Sequence, residues 1–328
     1  MTNRDSSGPV ILAYSFDGNG GGEALSGEAV GLEVGSERFA WVHLDANHSE
    51  TQSWLESEVS YLDSFIIQAL LAEETRPRLM EIGDGALLIL RGMNFNAEAS
   101  HEDMVSIRLW FDGKRVISLE KRPLRVVSDL EQRILASKGP KDAGHFIALM
   151  TARLFDQMEP VLLDLSEATD DIEEEVQESA SVSLREGIVS VRKKAIMFRR
   201  YMAPQRDEIA KLRLSDLECF SDTNKRQLQE CLINITRYVE DLDAIRERAQ
   251  IVKDEIANML ADRLNKNMYV LSVVAAIFLP LGFLTGLLGI NVGGIPGADN
   301  DQAFWLFIGL LVVIVAMQVA IFRRLKWF

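Results

Sequence analysis

Two long apolar runs near the end of the chain, residues 268–290 and 303–322, are joined by twelve residues, 291–302. That joint reads NVGGIPGADNDQ and carries Asn291, Asp299 and Asp301 but no Lys or Arg. Amide and carboxylate oxygens are donors for hard cations. Few other residues combine in ways that do chemistry. The histidines are His43, His48, His101 and His145, and only His101-Glu102-Asp103 and His43 with Asp45 stand beside carboxylates. Neither has the spacing of a closed zinc site, so both are expected to be structural or solvated. Cys219 and Cys231 are too far apart for a CxxC pair. Gly18–Gly22, GNGGG, lacks the Lys-Ser/Thr of a phosphate loop and is expected to be a turn. No nucleophile–base set stands out, so an enzyme is not expected.

The elements that hold these residues divide the chain. Each apolar run matches the ~20 residues that cross ~30 Å of hydrocarbon. Arg263 and Lys266 precede the first run, and Arg323, Arg324 and Lys326 follow the second. The positive-inside rule then places both ends of the pair in the cytoplasm and the loop outside. Trp305, Trp327 and Phe328 fall near the expected interfaces. The first run is studded with small residues, among them Ser272, Ala275, Ala276, Gly282, Thr285, Gly286 and Gly289, which let helices approach closely. Pro280 would free a backbone carbonyl and kink it. The second run is bulky and aliphatic and reads as lipid-facing. Two helices cannot enclose a polar path, so a pore needs several copies of the chain.

The net charge is −14, and residues 1–267 carry −15 of it, because Arg323, Arg324 and Lys326 outnumber Asp299 and Asp301 by one. An acidic body argues against nucleic acid and suits a protein that handles cations. Few cysteines indicate a reducing compartment, and the short apolar start meets Asp17 too soon for a signal peptide.

Residues 1–143 read as an α/β domain. Strands are expected at 9–16, 38–44, 86–93, 104–111 and 115–119, with Asp112-Gly113-Lys114 as a hairpin turn, and helices at 47–58, 61–74 and 125–137. Residues 144–267 read as all-helical. Residues 156–178 hold ten acidic residues and no basic one, a solvated face or a cation reservoir. The next helix has a basic face (Arg192, Lys193, Lys194, Arg199, Arg200) and a Ser183–Glu186 capping box. Acidic and basic helices in succession suggest antiparallel pairing. Leu228, Cys231, Ile235, Tyr238, Leu242, Ile245, Ala249, Val252, Ile256 and Met259 then form an apolar seam at alternating steps of three and four. No stop signal follows, so this helix should run from about residue 224 into the first span, roughly 100 Å at 1.5 Å per residue.

This arrangement resembles the CorA family of divalent-cation transporters. The likeness rests on Gly289-Ile290-Asn291 at the end of the first span, the acidic α/β domain, the long helix and the basic tail, 323–328. Magnesium-transporting members carry Tyr-Gly-Met-Asn there, and this chain has Leu288 and Ile290 in place of Tyr and Met. The continuation Val292-Gly293-Gly294-Ile295-Pro296-Gly297 is similar to the ZntB zinc-transporter branch, as are LREGIVSVRKKAIMFRRYMAPQRDEI and DGNGGG.

The resemblance implies a homopentamer in a bacterial inner membrane, with first spans lining the pore and second spans outside. Asn291 would then ring the outer mouth and offer amide oxygens to a hydrated ion, although Asn also caps helix ends. Asp299 and Asp301 would form an external cation funnel. Counting back from Asn291 in helical steps gives the expected pore stripe: Gly286, Gly282, Leu279, Ala275, Leu271 or Ser272, Met268 and Asn265 or Leu264. It holds no carboxylate, His or Cys, so zinc as cargo rests on the resemblance, and no resident cofactor is expected. Mg²⁺, Co²⁺ or Ni²⁺ is the alternative cargo, and a membrane-anchored metal sensor or scaffold the alternative function.

Overall fold

Alternating apolar strands need a helical layer on each face. A computed structural model describes residues 8–73, 76–97, 99–289 and 300–324. It divides into two compact units, Met1–Asp254 and Glu255–Phe328.

The first unit is built on seven strands: β1 Val10–Phe16, β2 Gly22–Ala24, β3 Ala40–Asp45, β4 Arg78–Ile82, β5 Gly85–Gly92, β6 Val105–Phe111 and β7 Arg115–Glu120. Their order is β2-β1-β3-β7-β6-β5-β4. All neighbours are antiparallel except β3 and β7, which run parallel with Trp41 opposite Val116 and His43 opposite Ser118. Period-two alternation sends Val42, Leu44, Leu87, Ile89, Trp110, Ile117 and Leu119 to one face. There they pack with α1 Glu28–Val34, α2 Thr51–Glu58 and α3 Ser64–Leu71. The intervening residues bury Trp41 against Phe146, ring centroids 4.9 Å apart, on α5 Ala143–Asp156. Helix α4 Arg125–Leu135 packs beside α5.

The five expected strands form, within two residues of their expected ends. Strands β2 and β4 and helix α1 were not expected. Gly83 and Asp84 join β4 to β5, with Ile82 opposite Gly85 and Gly83 at φ 59°, a hairpin turn that glycine makes possible. The Gly18–Gly22 stretch is a turn: the Asp17 carboxylate accepts N–H bonds from Asn19 (2.7 Å) and Gly21 (3.0 Å), and Gly20 O accepts from Gly139 N–H.

Three long helices follow: α6 Glu159–Glu178, α7 Val182–Arg213 and α8 Asp222–Gly289. The N-cap of α7 is Ser181, whose Oγ accepts from Leu184 N–H at 3.2 Å, so Ser183 of the expected Ser183–Glu186 box lies two residues inside the cap. Helices α6 and α7 pack together. The carboxylates of α6, however, pair with α8: Glu159 with Arg237, and Asp170 and Glu173 with Arg248. On α7, Arg199 pairs with Asp243 of α8 at 2.6 Å. The seam from Leu228 through Ile256 is buried, and Met259 is half-buried. Helix α8 runs without a break into the second unit, which it forms with α9 Ala303–Arg324.

Candidate functional site

The second unit is an apolar helix pair. Helices α8 and α9 are both long and apolar enough to cross a membrane, and α9 buries none of its residues. A soluble core helix would be covered, so lipid or further protein must cover these.

From Met268 onward, the sheltered residues of α8 are Val273, Ala276, Ile277, Pro280, Leu281 and Leu284. Advancing about 100° per residue, they gather on one face. The sheltered residues of α9 include Phe307, Leu311, Ile314, Gln318 and Phe322, again one face. Leu281 shares a cavity wall with Ile308, Leu311, Val312, Val315 and Ala316.

A polar contact joins the helices, from Gln318 Nε2 to the Ala276 carbonyl at 3.2 Å. Pro280 has no N–H, so the carbonyl four residues before it loses its helical donor. That carbonyl belongs to Ala276, and Gln318 supplies the missing bond. Sequence reasoning identified the freed carbonyl but passed over Gln318. Its signal was an amide within an otherwise apolar run.

The expected pore stripe lies elsewhere. Met268, Leu271, Ser272, Ala275, Leu279, Gly282 and Gly286 are all exposed, as are Asn265, Leu264 and Gly289. By the same angular count, Met268 to Gly286 of this set centres on the side of α8 opposite the sheltered face. A Cβ added at Gly282, Gly286 or Gly289 would meet nothing within 4 Å. The hydroxyls beside the stripe turn back on their own helix: Ser272 Oγ donates to Met268 O at 2.8 Å, and Thr285 Oγ1 to Leu281 O at 2.9 Å. The stripe therefore presents small and apolar surface.

Ile290, Asn291 and Asp299 lie outside the described residues, as do Lys326, Trp327 and Phe328. Asp301 is exposed just before α9, where Asn300 Oδ1 accepts from Gln302 N–H at 2.9 Å.

The other candidates disperse. His43 is buried rather than solvated: its Nδ1 lies 2.7 Å from Ser118 Oγ and its Nε2 3.4 Å from Glu120. His101 packs on Phe95, ring centroids 5.1 Å apart, while Asp103 turns to Arg122 at 2.6 Å. Cys231 is a buried free thiol on the seam, and Cys219 a half-buried one. Among the described residues no three His, Cys, Asp or Glu side chains gather to hold a metal.

Known proteins share this architecture. The sequence model of the family described as "CorA-like Mg2+ transporter protein" matches residues 36–324. The divalent cation transporter CmaX of Pseudomonas aeruginosa is 38% identical over 322 residues, covering 97% of this chain and 96% of the relative. The zinc transport protein ZntB of Yersinia pseudotuberculosis is 34% identical over 318 residues, with the same coverage of 97% and 96%. The solved structure of full-length CmaX superposes with a TM-score of 0.86 at 36% identity, covering 98% of this chain and all of that one. Sheet, long helix and paired apolar helices thus recur together, and this chain belongs to the CorA family of divalent-cation transporters.

Proposed function

We propose that the chain assembles as a homopentamer in a bacterial inner membrane and conducts Zn²⁺ along a pore lined by α8. The observation that carries this reading is the division of α8 into two faces. Helix α9 shelters one face, and the small-residue stripe from Met268 to Gly286 is left open on the other. Small side chains on an unpartnered face let copies of the helix converge. An apolar wall without carboxylate, His or Cys lets a hydrated ion pass without being trapped.

Asn291 at the pore mouth, behind Gly289 and Ile290, offers amide oxygens to the water shell of the ion. Asp299 and Asp301 raise the local cation concentration outside it. The positive charge of Arg263, Lys266, Arg323 and Arg324 supports a cytoplasmic location for both ends of the helix pair. Zinc as the cargo is supported by the likeness to the zinc transport protein. The likeness to a divalent cation transporter and the family's Mg²⁺ description make Mg²⁺, Co²⁺ or Ni²⁺ the competing cargo.

The test is reconstitution in liposomes with a trapped metal dye, after the detergent-solubilised mass has been measured. Zn²⁺ entry that Asn291→Ala abolishes supports the reading, and dependence on a pH gradient adds proton coupling. A monomeric or dimeric mass, or a pentamer that passes Mg²⁺ but not Zn²⁺, overturns the assembly or the cargo respectively.

A further inference from the structure

In a chain of net charge −14, one cleft of the first unit is lined by six cationic side chains. Arg76, Arg91, Arg108, Lys121, Arg122 and Arg200 border a space of about 550 Å³. Glu73 and Asp103 share the lining, and Asp103 is engaged with Arg122 at 2.6 Å. The sheet assembles the set. Arg91 on β5 lies opposite Ser106 on β6, and Arg108 follows two residues along the same face of β6. Lys121 and Arg122 come directly after β7, and Arg200 comes from α7.

Arg108 is the deepest of them, 1% exposed. Its Nη1 donates to Leu70 O at 3.1 Å, near the C-terminal end of α3, while its Nε finds no acceptor. No carboxylate among the described residues pairs with Arg108, Lys121 or Arg200. Burial, followed by the nearby charge of Arg91, pulls the Arg108 guanidinium down to about 10, which leaves it cationic at neutral pH. A buried guanidinium without a counter-charge is costly. Arg91 is fixed beside it, 4.4 Å over the Tyr201 ring and donating to Met104 O at 2.7 Å. Arg200 lies 5.6 Å from the centre of the same ring. Such stacking fixes guanidinium forks before any ligand arrives.

We propose that this cleft binds a small anion bearing two or more linked phosphates. Guanidinium forks match phosphate oxygens in bidentate fashion. Among the described residues, Arg108, Lys121 and Arg200 have no carboxylate partner, and three such cations in one cleft call for several negative charges on one ligand. The volume lies in the range of small-molecule sites. The sign of the cleft's charge repels divalent cations, so the cleft is not a site for the proposed cargo. An acidic helix of a neighbouring copy would bring carboxylates to the rim but not down to Arg108.

The test is calorimetric titration of the full-length protein in detergent, in metal-free buffer with chelator, using pyrophosphate and inorganic phosphate as probes. Saturable binding of pyrophosphate is expected, about tenfold or more tighter than inorganic phosphate. Lys121→Gln and Arg200→Gln, both toward the rim, should each weaken it about tenfold, and Arg108→Gln should abolish it. The rim variants decide the matter if Arg108→Gln fails to fold. Absence of saturable binding, equal affinity for the two probes, or full affinity in the Lys121→Gln/Arg200→Gln double variant overturns the proposal. Binding that appears only after the oligomer is dissociated also overturns it, and assigns the cleft to a neighbour's acidic segment.

Discussion

Gln318 on α9 donates to the carbonyl that Pro280 strips of its helical partner on α8, across 3.2 Å between Gln318 Nε2 and Ala276 O. Gln318 and Ala276 are 42 positions apart in the sequence and form one hydrogen-bonded pair. Replacing Gln318 by Leu leaves the carbonyl unpaired in apolar surroundings. Inter-helix hydrogen bonds in membranes are worth about 1 kcal/mol, so thermal unfolding in detergent should register a loss of about that size. Pro280→Ala restores the N–H at position 280. In that background Gln318→Leu should cost much less, and equal losses in both backgrounds would show that the contact is incidental.

Gly286→Leu separates a pore-lining stripe from a lipid-facing one. A Cβ there meets nothing within 4 Å in the single chain, so the helix pair should form normally. Replacing glycine also favours the helix, by up to about 1 kcal/mol. In a converging bundle the same side chain fills the axis. Zn²⁺ flux in liposomes is expected to fall by at least about tenfold with the oligomer intact. Undiminished flux would place the stripe against lipid.

Gly144 permits a close approach in the first unit. A Cβ at this first-turn position of α5 would lie 2.0 Å from the Cys219 carbonyl oxygen and 2.7 Å from Asn224 Nδ2. The nearest obstacle is backbone, which cannot swing aside. Gly144→Ala should destabilise by about 2–3 kcal/mol, read as a lowered midpoint in denaturant. Gly282→Ala, with open space around it, serves as the control.

Burial pushes the thiols of Cys219 and Cys231 each up to about 12. In the unfolded chain they titrate near about 8.5. The folded state therefore keeps its protons where the unfolded state loses them, and stability falls as pH rises above about 8.5. At about pH 8 neither thiol should be alkylated by iodoacetamide in the native protein, and both should be after denaturation, by intact mass. A Cys219→Ser/Cys231→Ala variant should lose that alkaline slope.

The sheet was legible because its strands alternate. Val42 and Leu44 point one way and Trp41 and His43 the other, and the sequence shows that period directly. Strand β2 is only three residues long and α1 only seven, too short for any period to register. Strand β4 was marked by Gly83-Asp84, a turn signal that was overlooked. The seam of α8 was legible over its whole length, and its continuity into the first span followed from the absence of a stop signal. Charge pairing was not legible. A carboxylate run identifies itself but not its partner, and Glu173 and Asp170 turn to Arg248 of α8 rather than to the basic residues of α7. Packing angles decide such pairings, and they have no local sequence signature. Gln318 was missed for the same reason, since its partner is a backbone atom on another helix.

The order of elements along the chain has a consequence for biosynthesis. Every strand of the sheet lies between Val10 and Glu120, and among the described residues the first helical stretch long and apolar enough to cross a membrane begins near Met268. Translation therefore delivers the whole sheet, with α4 to α7, before the helix pair that a membrane-insertion machinery would recognise. Domains fold as units in the order they emerge. The sheet-bearing unit can close its core on the ribosome before the apolar end of α8 emerges. A truncation that ends within the seam should accordingly yield a folded sheet released into solution, separating the formation of the body from its delivery to the membrane.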